Sequence, residues 1–227
     1  MVHLSGELAI STAPAVRTTL AKCLVEQPDT LVVDVAALTV AEPAALSVFL
    51  AVARQASVWP GTPLLLCAPD PALASALTAG YGRLRVFPSL AQALAAPPGR
   101  RLMSISDLVL PVSGAARRAR DVATEACNQW KLPHLADPAA LVAGELVTNA
   151  VVHAGTMADL RLSLGRRYVM IAVRDGSTAV PRMSAEPLAD PATGRGLLLV
   201  SVTAHRWGSL PAQDGKVVWA TLPVATR

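Results

Sequence analysis

The sequence predicts an α/β protein, shading into α+β in its second half, built as two sheets that each carry helices. Three observations support this. Through the first 96 residues, β-branched strand-like runs alternate with helical patterns. A Pro97-Pro98-Gly99-Arg100-Arg101 break then interrupts any regular element and divides the chain. Beyond it, the apolar stretch 141–155 carries Glu145, Asn149 and His153 at i, i+4 and i+8, a polar stripe on one helix face. The expected organisation is a first domain over residues 1–96, a linker over 97–102 and a second domain over 103–227.

Composition bounds the function classes. The 227 residues are 52% hydrophobic and 16% charged, enough apolar material for a packed core and too little charge for disorder. Net charge is +4, unevenly spread: residues 1–96 hold five Lys/Arg against six Asp/Glu, and the remainder fifteen against ten. The densest basic run, Arg117-Arg118-Ala119-Arg120, reads as a solvated helix face. It comes with no aromatic stripe or nucleic-acid motif, so direct nucleic-acid binding is not expected. Cys23, Cys67 and Cys127 are odd in number, widely spaced and set among apolar residues. Buried free thiols in a reducing compartment are expected. The N-terminus lacks a basic segment followed by an apolar one, and no apolar run reaches spanning length without charge or proline. A cytoplasmic protein without a membrane partner is expected.

In the first half, residues 2–10 read as a hairpin around Ser5-Gly6. Ser11-Thr12-Ala13-Pro14 opens a helix, with a hydroxyl before a first-turn proline. Residues 30–35 form a buried strand, 43–56 a second helix and 64–68 another strand. Asp70-Pro71 starts a third helix, and Val86-Phe87-Pro88-Ser89 precedes a fourth over 90–96.

Several phrases here resemble the STAS family, the fold of anti-anti-sigma factors: Gly6-Glu7-Leu8 with Ala13-Pro14, then Leu31-Val32-Val33-Asp34-Val35, then Phe87-Pro88-Ser89-Leu90. The resemblance implies that the turn at Glu42-Pro43-Ala44-Ala45 matches the place where the family carries a phosphate-accepting serine. Proline has no hydroxyl to phosphorylate, and Ser47 lies a helical turn further on. A STAS-like sheet with helices, without its phosphorylation switch, is therefore implied.

In the second half, residues 103–110 read as a strand. Ser113 is the expected N-cap of an amphipathic helix through Trp130, with Ala116, Ala119, Val122, Ala123 and Ala126 inward. Asp137-Pro138 starts the central helix with an acidic N-cap, and Gly155 ends it. Residues 157–164 and 168–174 pair across Gly165-Arg166-Arg167, and Asp175-Gly176-Ser177 closes the second strand. Residues 178–193 read as a mobile loop. Gly194-Arg195-Gly196 opens an apolar helix from Leu197, and two strands follow, around Trp207 and over 216–222.

A constellation emerges from these parts. Gly194-x-Gly196 at a helix start suits phosphate, because unhindered backbone N–H groups and the helix dipole converge on an anion. It lacks the third glycine of a dinucleotide fingerprint, and no Gly-Lys-Ser/Thr marks a P-loop. Asp175 can accept from the exocyclic amine of a base. Asn149 offers an oxygen to Mg²⁺, and Glu145 can take a proton near a terminal phosphate. Taken singly, Glu145 reads as a solvated helix residue and the glycine pair as a plain turn.

In this order, residues 103–227 resemble the GHKL, or Bergerat-fold, ATP-binding domains of the anti-sigma-factor kinase type. Residues 145–154 (ELVTNAVVHA) look like that family's N box, and Val173-Arg174-Asp175-Gly176-Ser177 is similar to its adenine-binding segment. Gly194-Arg195-Gly196-Leu197 is similar to its second glycine segment, and Trp207 with residues 215–219 resembles its closing hairpin. The resemblance implies an α/β sandwich with ATP between helices and sheet. Asn149 would hold Mg²⁺, and Asp175 would bind adenine. His153, Ser177, Gly194, Arg195, Gly196 and Leu197 would line the nucleotide site, with 178–193 as its lid. Ser177 stands where the family more often has glycine.

The implied function is an ATP-binding, partner-switching regulator. It would either phosphorylate serine or threonine on a separate STAS-domain anti-anti-sigma protein, with Glu145 as base, or sequester a sigma factor. A non-enzymatic interaction module with a structural or vestigial nucleotide site is the alternative, and a homodimer is left open. A sensor histidine kinase or gyrase-type motor fits poorly: His134 sits beside Pro133 in a loop, and no transducer segment follows in this sequence.

Overall fold

The computed structural model describes residues 1–68, 70–80, 84–97, 102–181 and 195–225. The chain divides into two units, Met1–Arg101 and Leu102–Arg227.

The first unit alternates strand and helix: β1 (Val2–Leu8), α1 (Ala13–Val25), β2 (Leu31–Val40), α2 (Ser47–Val58), β3 (Leu64–Cys67), α3 (Pro71–Gly80), β4 (Arg85–Phe87) and α4 (Leu90–Ala95). The sheet order is β1-β2-β3-β4 with every neighbour parallel. Parallel strands need both faces covered, and both are. On one face Val33 and Leu66 pack with Leu20, Leu24, Phe49 and Leu77 from α1, α2 and α3. On the other, Val32, Leu65 and Cys67 meet Ala93 of α4.

Three features of this unit differ from the sequence reading, one being that β2 runs on to Val40 rather than ending at residue 35. Residues 2–8 are one strand rather than a hairpin. Its register against β2 slips between His3 and Ser5, and Gly6 takes φ +96°, so the glycine marks an irregularity within a strand instead of a turn. The strand Arg85–Phe87 was not expected. At three residues it is too short to show periodicity. Helix α2 is preceded by a tight 3₁₀ turn, Pro43–Leu46, with exposed Pro43 as its first residue. Ser47 Oγ donates back to the carbonyl of Ala44 (2.7 Å).

The second unit contains β5 (Met103–Val109), α5 (Ala115–Gln129), α6 (Ala136–Asn149), β6 (Ala158–Leu164), β7 (Tyr168–Asp175), α7 (Gly196–Thr203), β8 (Arg206–Ala212) and β9 (Gly215–Pro223). Its five-stranded sheet runs β5-β6-β7-β9-β8, all antiparallel. The helices cover one face. Alternate strand residues Val169, Ile171, Val173, Val218, Ala220 and Leu222 pack with Ala119, Ala123 and Ala126 of α5, Val142, Ala143, Leu146 and Val147 of α6, and Val200 of α7. Small residues on α5 let that helix lie close against α6.

Helix starts were read less well than helix faces. The N-cap of α5 is Gly114 rather than Ser113, and Ala116 is half-buried rather than part of the core. A 3₁₀ turn, Pro133–Leu135, leads into α6 before Asp137, which lies in the first turn instead of capping it. There its carboxylate still faces the positive end of the helix dipole. His134, within that turn, has Nε2 3.1 Å from the carbonyl of Val224. The continuous helical stretch Pro133–Ala154 is long and apolar enough to cross a membrane by length and composition, yet half of its apolar window is buried inside the fold.

Candidate functional site

The polar stripe on α6 begins as an ordinary helix face and then changes pitch. Glu145 and Asn149 belong to α6, Asn149 being its last residue. Residues Ala150–Ala154 wind as a π-helical turn, closed by Gly155 N–H on the carbonyl of Ala150 (3.2 Å) with Gly155 at φ +63°. A π turn advances less per residue than an α turn, so His153 is rotated away from the line through Glu145 and Asn149. It is exposed, at the mouth of a cavity.

That cavity, about 370 Å³, lies between α6, the end of β7, the start of β9 and the start of α7. Its walls include Leu146, Asn149, Asp175, Ser177, Leu197 and Lys216. Volume and mixed lining are those of a small-molecule site.

Asp175, the final residue of β7, is 5% exposed. Its Oδ1 accepts from Ser177 N–H (2.8 Å) and from Lys216 Nζ (2.8 Å). Lys216 also donates to the carbonyl of Ser177 (3.2 Å). Strand pairing produces this contact: Asp175 and Lys216 are direct partners in the β7–β9 ladder, facing the helix layer with Val173 and Val218. The lysine side chain is 10% exposed and the aspartate 3%, so the pair is nearly desolvated and each charge depends on the other. Ser177 is committed to this turn, its Oγ accepting from Ala179 N–H (3.2 Å). The turn is pinned from the far side by Thr156, whose Oγ1 accepts from Gly176 N–H (3.0 Å).

Asn149 carries the site's unmet demand. Its Nδ2 is fully buried and has no hydrogen-bond partner among the described residues. An orphaned buried donor costs about 1–3 kcal/mol, a cost that a bound acceptor removes.

Glu145 is not part of the cavity wall. Its carboxylate lies between α6 and the start of α7, against Gly196: a Cβ on Gly196 would stand 2.6 Å from Glu145 Oε2 and 3.5 Å from Asn149 Oδ1. A side chain there would require the Glu145 carboxylate, the far end of a flexible side chain, to move aside from the first position of α7. Arg195, the N-cap of α7, is exposed and outside the cavity, and Leu197 is in its wall. Gly194 and most of the expected lid, 182–193, lie outside the described residues. Of the expected site residues, Asn149, His153, Asp175, Ser177, Gly196 and Leu197 line one cavity, while Glu145 and Arg195 do not.

Two site residues escaped the sequence reading. Lys216 entered only as part of the closing-hairpin resemblance over 215–219, with no role at the site, and Thr156 only as a hydroxyl after the glycine that ends the helix.

Comparison with known families accounts for both units. Residues 1–93 match the STAS domain, and residues 112–222 match the family described as the histidine kinase-like ATPase domain. The chain is a fusion of these two domains. Together they mark an ATP-binding regulatory protein of the partner-switching kind. No curated protein matches the chain.

The site accommodates the nucleotide such a domain implies. Asn149 Nδ2 has no acceptor among the described residues, and Leu146, Leu197 and Val218 offer an apolar bed for a base.

Proposed function

We infer that this protein binds ATP with Mg²⁺ in the α6–α7 cavity and phosphorylates a serine or threonine on a separate STAS-domain partner. The orphaned Nδ2 of Asn149 carries the nucleotide reading, as a buried donor waiting for an anionic acceptor. Asn149 Oδ1 would hold the cation, which lowers the cost of charge building on the phosphates. Asp175 would accept from the amino group of the base. Gly196, with Arg195 and Gly194, would place backbone N–H groups at the phosphates.

In the transfer, the partner's hydroxyl oxygen bonds to the terminal phosphorus and the bridging oxygen departs with ADP. The hydroxyl proton passes to Glu145, a half-buried residue whose carboxylate lies beside Gly196. The protein's own N-terminal domain is not the usual kind of substrate, because Pro43 occupies the acceptor position and Ser47 lies a turn further on with its hydroxyl on the carbonyl of Ala44. A sigma factor is the other partner such a regulator would engage.

Incubation with labelled ATP and an intact STAS protein tests this. Label should appear on the STAS protein and disappear with Glu145→Ala, whereas Asn149→Ala and Asp175→Asn should weaken nucleotide binding about tenfold or more. Unchanged nucleotide affinity in both of those variants would remove the reading.

One observation favours a second reading. Glu145 does not line the cavity and its carboxylate abuts Gly196, a position equally suited to bracing the start of α7. In that case the protein is an interaction module with a structural nucleotide, and the same assay shows binding without transfer.

A further inference from the structure

We propose that Lys216 reads the base: with Asp175 it forms a two-point donor–acceptor edge that selects a purine whose exocyclic amine lies next to an unprotonated ring nitrogen. This rests on the reading of the cavity as the nucleotide site. Lys216 Nζ spends two of its three N–H groups inside the fold, on Asp175 Oδ1 (2.8 Å) and the carbonyl of Ser177 (3.2 Å). Asp175 Oδ1 takes Lys216 and Ser177 N–H, leaving Oδ2 without a partner among the described residues. Both side chains line the cavity. Among the described residues the site therefore offers one carboxylate oxygen and one ammonium N–H without a partner, held side by side by the β7–β9 register.

A carboxylate alone would recognise any amine-bearing base. An adjacent ammonium adds the demand for an acceptor beside the amine, which adenine meets with the ring nitrogens flanking its amino group. The pair is almost fully desolvated, so a missing partner is not replaced by water, and the discrimination is correspondingly sharp.

The test titrates the full-length protein with ATP, 1-deaza-ATP and 7-deaza-ATP at fixed Mg²⁺. Each analogue keeps the amine and replaces one flanking nitrogen by carbon. The wild-type protein should bind one analogue about tenfold or more weakly than ATP, as expected for loss of a hydrogen bond to a charged donor. Lys216→Met should bind ATP and that analogue equally, and Lys216→Arg should retain discrimination. Equal affinity for all three nucleotides in the wild type overturns the role of Lys216 and leaves the nucleotide site standing. So does unaltered discrimination in Lys216→Met. Failure of the wild type to bind any of the three overturns the site itself. The wild-type comparison decides the matter even if Lys216→Met, with a buried unpaired aspartate, does not fold.

Discussion

Gly196 leaves room for the Glu145 carboxylate at the start of α7. The methyl group added in Gly196→Ala would drive a carbon into Glu145 Oε2, with the Asn149 amide close behind. That carboxylate ends a flexible side chain and can swing aside. Alanine favours a helix over glycine by about 0.5–1 kcal/mol, so the expected result is little change in stability by chemical denaturation with weakened nucleotide binding in calorimetry. Cys127 makes a different prediction. It is fully buried, and burial pushes its thiol up to about 11. In the unfolded chain the thiol ionises near its ordinary value of 9.0, so between these values the unfolded state binds fewer protons and stability falls as pH rises. The wild type should lose roughly 2 kcal/mol more than Cys127→Ala between pH 8.5 and pH 11 in urea titrations. At this scale the sequence was uneven. Glu145 and Asn149 stood out because the helix fixed their phase. Lys216 did not, because its partner is 41 residues away and only strand pairing brings the two together.

Among the elements, α6 is both core and site. One face carries Val142, Ala143, Leu146 and Val147 into the packed layer, and its end delivers Asn149 to the cavity. The α5–α6 contact depends on alanines, with Ala119, Ala123 and Ala126 fully buried. Ala123→Leu should therefore force the helices apart and destabilise the unit by about 1–3 kcal/mol, read as a lower denaturation midpoint at unchanged slope. Element identity was legible where periodicity had room to repeat, as in α5 and the β6–β7 hairpin. It failed where an element was shorter than its period, as in β4, or where the winding changed, as in the π turn that carries His153. Neither Gly155 nor the apolar spacing announces a π turn, since both suit an α-helix ending one residue later.

For the whole molecule, each unit has a hydrophobic core built from its own residues, around Phe49 in the first and around Val142 and Ile171 in the second. Calorimetry of the full chain should resolve two unfolding transitions. Millimolar ATP with Mg²⁺ should raise the one that belongs to the second unit, because a ligand stabilises only the state that binds it. A single transition that does not respond to nucleotide would contradict both the separate cores and the site.

The Asp175–Lys216 pair also has a consequence for how the second unit reaches its fold. Side chains alternate between the faces of a sheet, so a one-residue slip of β9 against β7 would carry Lys216 to the opposite face and strand Asp175 without a counter-ion. The valines of the strand GKVVWATLP would tolerate such a slip, since Val217 and Val218 are both buried and nearly interchangeable. The lysine would not. The salt bridge thus acts as a proofreading mark for strand alignment, penalising the misregistered sheet by the cost of two unpaired buried charges.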